Sequence, residues 1–299
     1  MEELTENRAV FGRAINYIGS AESMEEYLTL LNENLEENNT TSYFYRGETQ
    51  DYGETALSPQ LFRNPKWVEN EHKMINEFVA KFPNDFPKGT STFDIIVNAD
   101  HFSLPSRVLD ISYSAFTGLF MACYNFSSKD KVDDTNDGFV YIFKVPQRDI
   151  KNWTSDTVTL LSNLAIMKSD FPDESNWKHS YDVLMHVIKV ERPDFYDVYE
   201  GNEDKYKNDF NRIVCVESKM LNSRITNQKG LFFLFGINGK KSDFAKMKFD
   251  DDVEIYSIRI DKNHKAAILK QLEMCGYDRM TMFPDMQNVC ENIKENYKN

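Results

Sequence analysis

The sequence predicts an α+β fold: a mixed central sheet built from distant segments, flanked by helices and carrying a helical insertion. Three observations carry this. Apolar residues recur at helical spacing in some stretches and alternate strictly in others, yet the two kinds do not follow one another as regular βαβ units. The strand-like stretches, near residues 42–46, 139–145, 212–216, 231–237 and 253–260, are separated by long helical or polar segments. With 299 residues, 41% of them hydrophobic, and 22 Phe, 15 Tyr and 3 Trp, the chain can bury a large core and lies far from a disordered composition.

The elements follow in order. Ser23 with Glu26 three residues later is a capping-box pattern, and Met24, Tyr27, Leu28, Leu31 and Leu35 continue it as a helix. The first forty residues are therefore expected to be a helical segment. The aromatic, β-favouring run before Arg46 predicts a strand that Gly47 ends, leaving Arg46 at its tip. Asn64-Pro65 starts a helix with Trp67, Met74, Ile75, Phe78 and Phe82 on its apolar side, and another runs from about Ser91 into His101. Pro105 breaks it, residues 103–112 read as a connection, and Ser112 is the expected N-cap of the next helix, which carries Ala115, Phe116, Leu119, Phe120 and Cys123. Asp133, Asp134, Asn136, Asp137 and Gly138 form a polar turn before the alternating strand Phe139, Tyr141, Phe143 and Val145. Residues 147–211 read as the helical insertion, with helices over 160–167 and 181–188. Strands return at 212–216, 231–237 and 253–260, followed by a helix from 264 to 275 that Gly276 closes.

The formal charge of −13 opposes the counterion release that wrapping a polyanion requires, so extended nucleic-acid binding is not expected. A small anionic ligand held by a few arginines is compatible with it. Cys123, Cys215, Cys275 and Cys290 lack CxxC or Cys/His zinc spacing, so no metal is expected, and a reducing cytoplasm is the simple setting. The N-terminus shows no signal-peptide pattern, and the most apolar stretch, 115–126, is too short to span a bilayer. HExxH, GxGxxG and GxSxG are absent, as is the phosphate-loop frame around Lys229-Gly230. His179 and His186, seven apart, read as packing or surface.

Three stretches carry the chemistry-bearing residues. Tyr45-Arg46-Gly47-Glu48 puts a planar five-donor fork beside a glycine, a grip for phosphate or carboxylate, or else the partner of an internal acid. The segment 101–112 gathers His101, Arg107, Asp110 and Ser112: Asp110 can orient Arg107 or His101, or merely cap a helix while Arg107 neutralises it. Arg224 to Gly230, with Gln228, feeds the apolar run 231–235 and reads as a pocket mouth or a plain loop.

Taken in order, these stretches resemble the FRG domain family. Its name-giving Phe-Arg-Gly appears as Tyr45-Arg46-Gly47. Ser58-Pro59, Arg63, Glu71 and Phe78 resemble the next segment. The His-x-x-Leu-Pro-(Thr/Ser)-Arg-x-Leu-Asp block appears as His101, Leu104, Pro105, Ser106, Arg107, Leu109 and Asp110, with Ala115 and Ala122 following. Asn222, Arg224, Gln228, Gly230 and Phe232 match a later motif, and Ile268 through Gly276 to Asp285 the closing one. Tyr45 replaces a usual Phe, Glu48 and Asp100 usual Gln, Ser103 a usual Gly and Ile111 a usual Trp. The resemblance covers about 43–288, so the expected organisation is an N-terminal segment 1–40, an FRG-like domain 41–290 with the insertion at about 147–211, and a tail 291–299.

The resemblance implies a bacterial or phage protein with a role in phage defence, abortive infection included. The order of features is also loosely similar to ADP-ribosyltransferase folds. In that analogy Arg46 binds the pyrophosphate or ribose of NAD, Ser112 supports the nicotinamide-side ribose, and Gln228 stands near the catalytic acid, with Glu217 as a substitute carboxylate. His101, Arg107 and Asp110 complete the expected catalytic set, and Tyr45, Gly47, Glu48 and Arg224 the ligand-binding set. Three readings stay open: an NAD-dependent transferase or NAD-cleaving enzyme; a non-catalytic nucleotide-binding sensor or protein-interaction module; and a buried ionic network of Arg46, Arg107, Asp110 and Arg224, with function elsewhere.

Overall fold

The computed structural model describes residues 8–36, 38–125, 132, 135–173, 175–196, 200, 202–241 and 248–297. Its strands are β1 (Ala9–Val10), β2 (Arg13–Ala21), β3 (Thr41–Glu48), β4 (Val108–Ser112), β5 (Gly138–Pro146), β6 (Ile150–Asn152), β7 (Ile213–Glu217), β8 (Gly230–Phe235) and β9 (Glu254–Ile260). The helices up to the insertion are α1 (Met24–Asn34), α2 (Pro65–Lys81), α3 (Thr92–His101) and α4 (Ala115–Cys123). The insertion holds α5 (Asp156–Asn163), α6 (Trp177–Glu191) and α7 (Glu203–Phe210). After it come α8 (Ser223–Gln228), α9 (Lys265–Met274), α10 (Arg279–Met282) and α11 (Met286–Asn296).

The strands form one mixed sheet in the order β1-β2-β9-β5-β3-β4-β8-β7-β6, so the α+β expectation stands. Pairs β2/β9 and β6/β7 are parallel and the other neighbours antiparallel. Some neighbours are distant in sequence, β2 beside β9 and β4 beside β8, so the middle of the sheet is assembled from both halves of the chain.

Several local expectations hold for the stated physical reason. Ser23 accepts the amide of Glu26, while the Glu26 carboxylate reaches back to the amide of Glu22, one residue before the cap. Asn64 caps α2 with Pro65 in its first turn, and Ser91 caps α3. Others are corrected. The first forty residues also contribute β1 and β2, and β2 lies in the main sheet beside β9. β3 runs through Gly47 to Glu48. The expected connection 103–112 contains β4, and the residue capping α4 is Ser114, which accepts the Thr117 amide, rather than Ser112. Residues 224–228, read as a loop or mouth, are the body of α8. β5 is buried on both faces, so its alternation does not mark a solvent side. Asp133 and Asp134 lie outside the described residues. Helix α11 continues across 290/291, where the tail was expected to begin.

The core explains where a site can form. One face of the sheet is covered along its length by a single cluster that includes Phe44, Leu109, Ile111, Phe143, Phe233 and Ile255. The other face carries two clusters. One joins Val108, Phe232 and Leu234 to α3, α5 and α6; the other joins Val140, Ile142 and Ile258 to α1, α4 and α9. Between them runs a seam, and there β3 and β4 are paired only at Tyr45 and Ser112.

Glycine sets the near wall of that seam. A Cβ on Gly47 would lie 2.0 Å from the carbonyl oxygen of Gly118, and one on Gly118 would lie 2.9 Å from the Cβ of Tyr45. The glycine of the Arg-Gly pair is thus required by backbone contact between β3 and α4 rather than by a turn.

Candidate functional site

A strand pair that parts after one bridge leaves backbone groups without ladder partners, and these must be met by side chains or water. Arg46 does this. Its Nη1 donates to the carbonyl oxygen of Asp110 at 2.8 Å and to Asp110 Oδ1 at 2.6 Å, while Nε reaches Glu48 Oε1 at 3.3 Å. Glu48, 3% exposed, is fixed in turn by the amide of Leu57. Burial disfavours the charge on Arg46, but Asp110 and Glu48 outweigh it and hold the guanidinium protonated. Burial likewise opposes ionisation of Asp110, and the charge and hydrogen bond of Arg46 reverse this, keeping its carboxyl below the usual range.

The same charge acts on a residue the sequence reading noted only as a departure. Asp100, near the end of α3, accepts from Ser106 Oγ at 3.3 Å and is pushed up to about 7 by burial and by the negative charge of Asp110, against the pull of Arg46 and Arg224. One carboxylate is thus held ionised beside another that can carry a proton near neutrality, the divergence that lets two like groups take different acid–base roles.

His101 follows on the same helix. Its Nδ1 lies 2.9 Å from the Asn222 side-chain nitrogen, which donates to it, so Nε2 carries the ring proton. Burial and the nearby Arg224 push the imidazole down to about 4 despite Asp110, so it is neutral at physiological pH. Arg224 Nη1 donates to the carbonyl oxygen of His101, and its guanidinium lies 5.0 Å from the Phe283 ring centroid. Asn222, also the N-cap of α8, was legible only as a motif residue; its position two before Arg224 is the signal that it serves the same wall.

Most of the expected site residues meet in one cleft on the seam, whose lining includes Tyr45, Arg46, Gly47, His101, Asp110, Ser112 and Gln228. Ser112 Oγ donates to the backbone carbonyl of Gln228 at 2.5 Å and accepts the Ser114 amide. The Gln228 side chain donates to the carbonyl of Met282 at 2.8 Å. Gln228 is therefore a structural amide in the wall, and the carboxylate at this cleft is Asp110. Glu217 accepts from the Tyr113 hydroxyl at 2.6 Å and does not line the cleft.

Arg107 differs from the rest. It is 1% exposed, its Nε and Nη2 grip the two oxygens of Glu71 at 2.7 and 2.5 Å, and Nη1 donates to the carbonyls of Phe235 and Gly236. Lys241 Nζ makes a second ion pair with Glu71 at 2.9 Å. This network takes four of the five N–H groups and lies in the interior, where Arg107 is out of a ligand's reach.

The cleft itself is about 30 Å³, room for one or two waters. Beside it, sharing His101, an open cavity of about 710 Å³ is lined by residues including Asn98, Phe102, Asn222, Arg224 and Asn288. Ligand pockets span about 300–1,000 Å³, so the larger space has the size of an organic ligand and the cleft beside Asp110 does not.

Among the described residues, one group offers metal-ligating atoms within 4.8 Å of one another: Glu22, Asp261 and His264. His264 faces Asp261 through Nδ1 and Glu22 through Nε2, so its lone pairs diverge rather than meet at one ion. His179 and His186 are both exposed on α6. No helix among the described residues is long and apolar enough to cross a membrane.

Comparison with known proteins returned no matching curated protein and no matching solved structure. The family profile of the FRG domain matches residues 41–131. That span supplies β3, α2, α3, β4 and α4, and with them Arg46, Asp100, His101 and Asp110; from outside it Gln228 lines the cleft, and Asn222 and Arg224 line the larger cavity beside it. The residues that build one wall of the seam lie within the matched span, so over residues 41–131 the chain is similar to the FRG domain.

Proposed function

We propose that this chain is an FRG-domain effector in conflict between bacterium and phage, and that the seam cleft acts on NAD, cleaving it or transferring its ADP-ribosyl group. The observation that carries this reading is the carboxylate pair: Asp110 held ionised by Arg46, beside Asp100 with its proton affinity raised to near neutrality.

Cleavage of a ribosyl C1′–N bond sends its electron pair to the departing nicotinamide and leaves positive charge on the ribose. A fixed carboxylate near C1′ stabilises that charge. Asp110 suits this role as Gln228 does not, since an amide neither offsets a full positive charge nor takes a proton. Water or an acceptor hydroxyl then forms the new bond to C1′ and gives up its proton to solvent, through which a deprotonated Asp100, not itself part of the cleft lining, can receive it. The His101 Nε2–H is a donor toward a ribose hydroxyl, and Arg224 is a cation for the phosphates.

The test supplies NAD and cell lysate to the wild-type chain and to Asp110→Asn, with nicotinamide release and ADP-ribosyl adducts read by mass spectrometry. Asparagine keeps the shape and an oxygen for Arg46, so the variant should fold. Release by the wild type, reduced at least about a hundredfold in the variant, is the expected result, and the same substitution should abolish protection in a phage plating assay. A silent wild type removes the NAD reading.

A second reading, a non-catalytic nucleotide sensor or protein-interaction module, is favoured by one observation. The cleft beside Asp110 is only about 30 Å³, too small for a ribose unless its walls part.

A further inference from the structure

Phe102 is the most exposed phenylalanine among the described residues, at 74%, and it stands on the rim of the large cavity beside His101. A single exposed aromatic is ordinary. This one is distinguished by its surroundings. It caps the C-terminus of α3 and is followed by Ser103 at φ +61°, so a strained turn directs the chain here where a relaxed one would need glycine. Lining the same space are the side-chain amides of Asn98 and Asn288, each of which already donates once, to the Asp94 carbonyl and to the cavity-lining Asp285, and keeps a second N–H and its oxygen as a donor and acceptor for a base edge. On the inner wall, Arg224 has no carboxylate partner among the described residues; its Nε is buried, and of its terminal nitrogens Nη1 donates to the His101 carbonyl, which leaves further Nη donors for a ligand. A cation with spare donors, amides and an exposed ring around about 710 Å³ match the three parts of a nucleotide: phosphate, base edge and base face.

We infer that this cavity is the binding subsite of a nucleoside phosphate, with Phe102 as the platform on which the base stacks and Arg224 as the phosphate ligand. The assignment deepens the nucleotide reading given above and rests on it for the class of ligand, but not on any reaction. It orients the ligand, with the base at the outer rim, the phosphate on Arg224, and the ribose directed toward His101 and the carboxylates.

The test titrates AMP and, separately, ribose 5-phosphate into the full chain by calorimetry, using wild type, Phe102→Ala, Phe102→Trp and Arg224→Gln. Loss of the ring should weaken AMP binding on the order of tenfold or more, while leaving ribose 5-phosphate unchanged. Tryptophan should restore AMP binding and have its fluorescence quenched by it. Arg224→Gln should weaken both ligands. Equal AMP affinity in Phe102→Ala and wild type overturns the platform; a wild type that binds AMP no better than ribose 5-phosphate overturns the base subsite; and undiminished binding by Arg224→Gln overturns the phosphate role. Ring-dependent AMP binding by a protein that releases no nicotinamide would leave this subsite standing and remove the NAD reaction, so the two failures are separable.

Discussion

Arg46 and Arg107 both belong to the family resemblance and both meet carboxylates, yet they do opposite work. Around Arg107 the surroundings are buried and mostly spent: a bidentate grip on Glu71, two backbone carbonyls, and Lys241 as a second cation on the same carboxylate. Burial opposes the charge on Glu71, but Arg107 and Lys241 outweigh it and hold its carboxyl low, while burial and Arg107 push Lys241 down. Around Arg46 the arrangement is open on one side. Asp110 has a side chain 46% exposed and lines the cleft, and the guanidinium takes only its Oδ1. What separates a charge that holds a fold from one that can serve a ligand is therefore whether its partner is used up, a property of the surroundings and not of the motif.

The contrast is testable from its strong end downward. Arg107→Ala should lower stability by about 3–5 kcal/mol in urea unfolding, because Glu71 and two carbonyls lose their partners in a dry interior. Arg107→Lys should recover little, since one ammonium cannot reproduce the fork. The titration of Asp100 comes next. Its folded pKa lies near 7 and its unfolded value near the ordinary ~3.9. Between those values the folded state keeps a proton that the unfolded state has lost. Stability therefore falls as pH rises from about 4 to 7, by an amount on the order of 3 kcal/mol, and stays level above. Asp100→Asn should flatten that slope and stabilise the protein at pH 8 relative to wild type; an unchanged slope would mean that Asp100 is not the strained partner.

Arg46→Ala should cost less than Arg107→Ala, about 2 kcal/mol, since Asp110, 46% exposed, can turn to water and the buried Glu48 keeps the Leu57 amide. Equal losses for the two arginines would dissolve the distinction drawn here. The smallest effect belongs to Ser103→Gly. At φ +61° glycine relieves the strain that serine carries, so the melting temperature should rise by the equivalent of about 1 kcal/mol or less. Among the described residues, the other left-handed non-glycine residues are Phe11, Leu57 and Lys229. Leu57 anchors Glu48, and Lys229 follows Gln228, so strain gathers beside the open arginine.

Helices were legible where local chemistry settles them, as at Ser23, Asn64 and Ser91, because a cap and an apolar stripe lie within a few residues of each other. Strands β2 and β4 were not. β4 is five residues long, and Ser112 and Ser114 offer competing caps within two positions. β2 alternates poorly and finds its partner β9 about 240 residues away. The same limit applies to the site. Arg46, His101 and Asp110 could be named from their pattern, but not that Asp100 would share their charges or that Arg107 would face inward. Both depend on how β3 and β4 diverge, and no local spacing encodes that. Phe102 left no sequence signal, since an aromatic beside a helix end is ordinarily a core residue.

The backbone contact of Gly47 with Gly118 also decides how the cleft can widen. With no side chain between them, β3 and α4 form a stiff jaw, and β5 is paired with β3 along its whole length. β4 is tied to β8 at five positions but to β3 at one. Any enlargement of the space beside Asp110 therefore falls to the opposite jaw, β4 and β8 with α8, swinging about the Tyr45–Ser112 bridge and carrying Asp110 and Arg224 with it, while Arg46 stays with the stiff side.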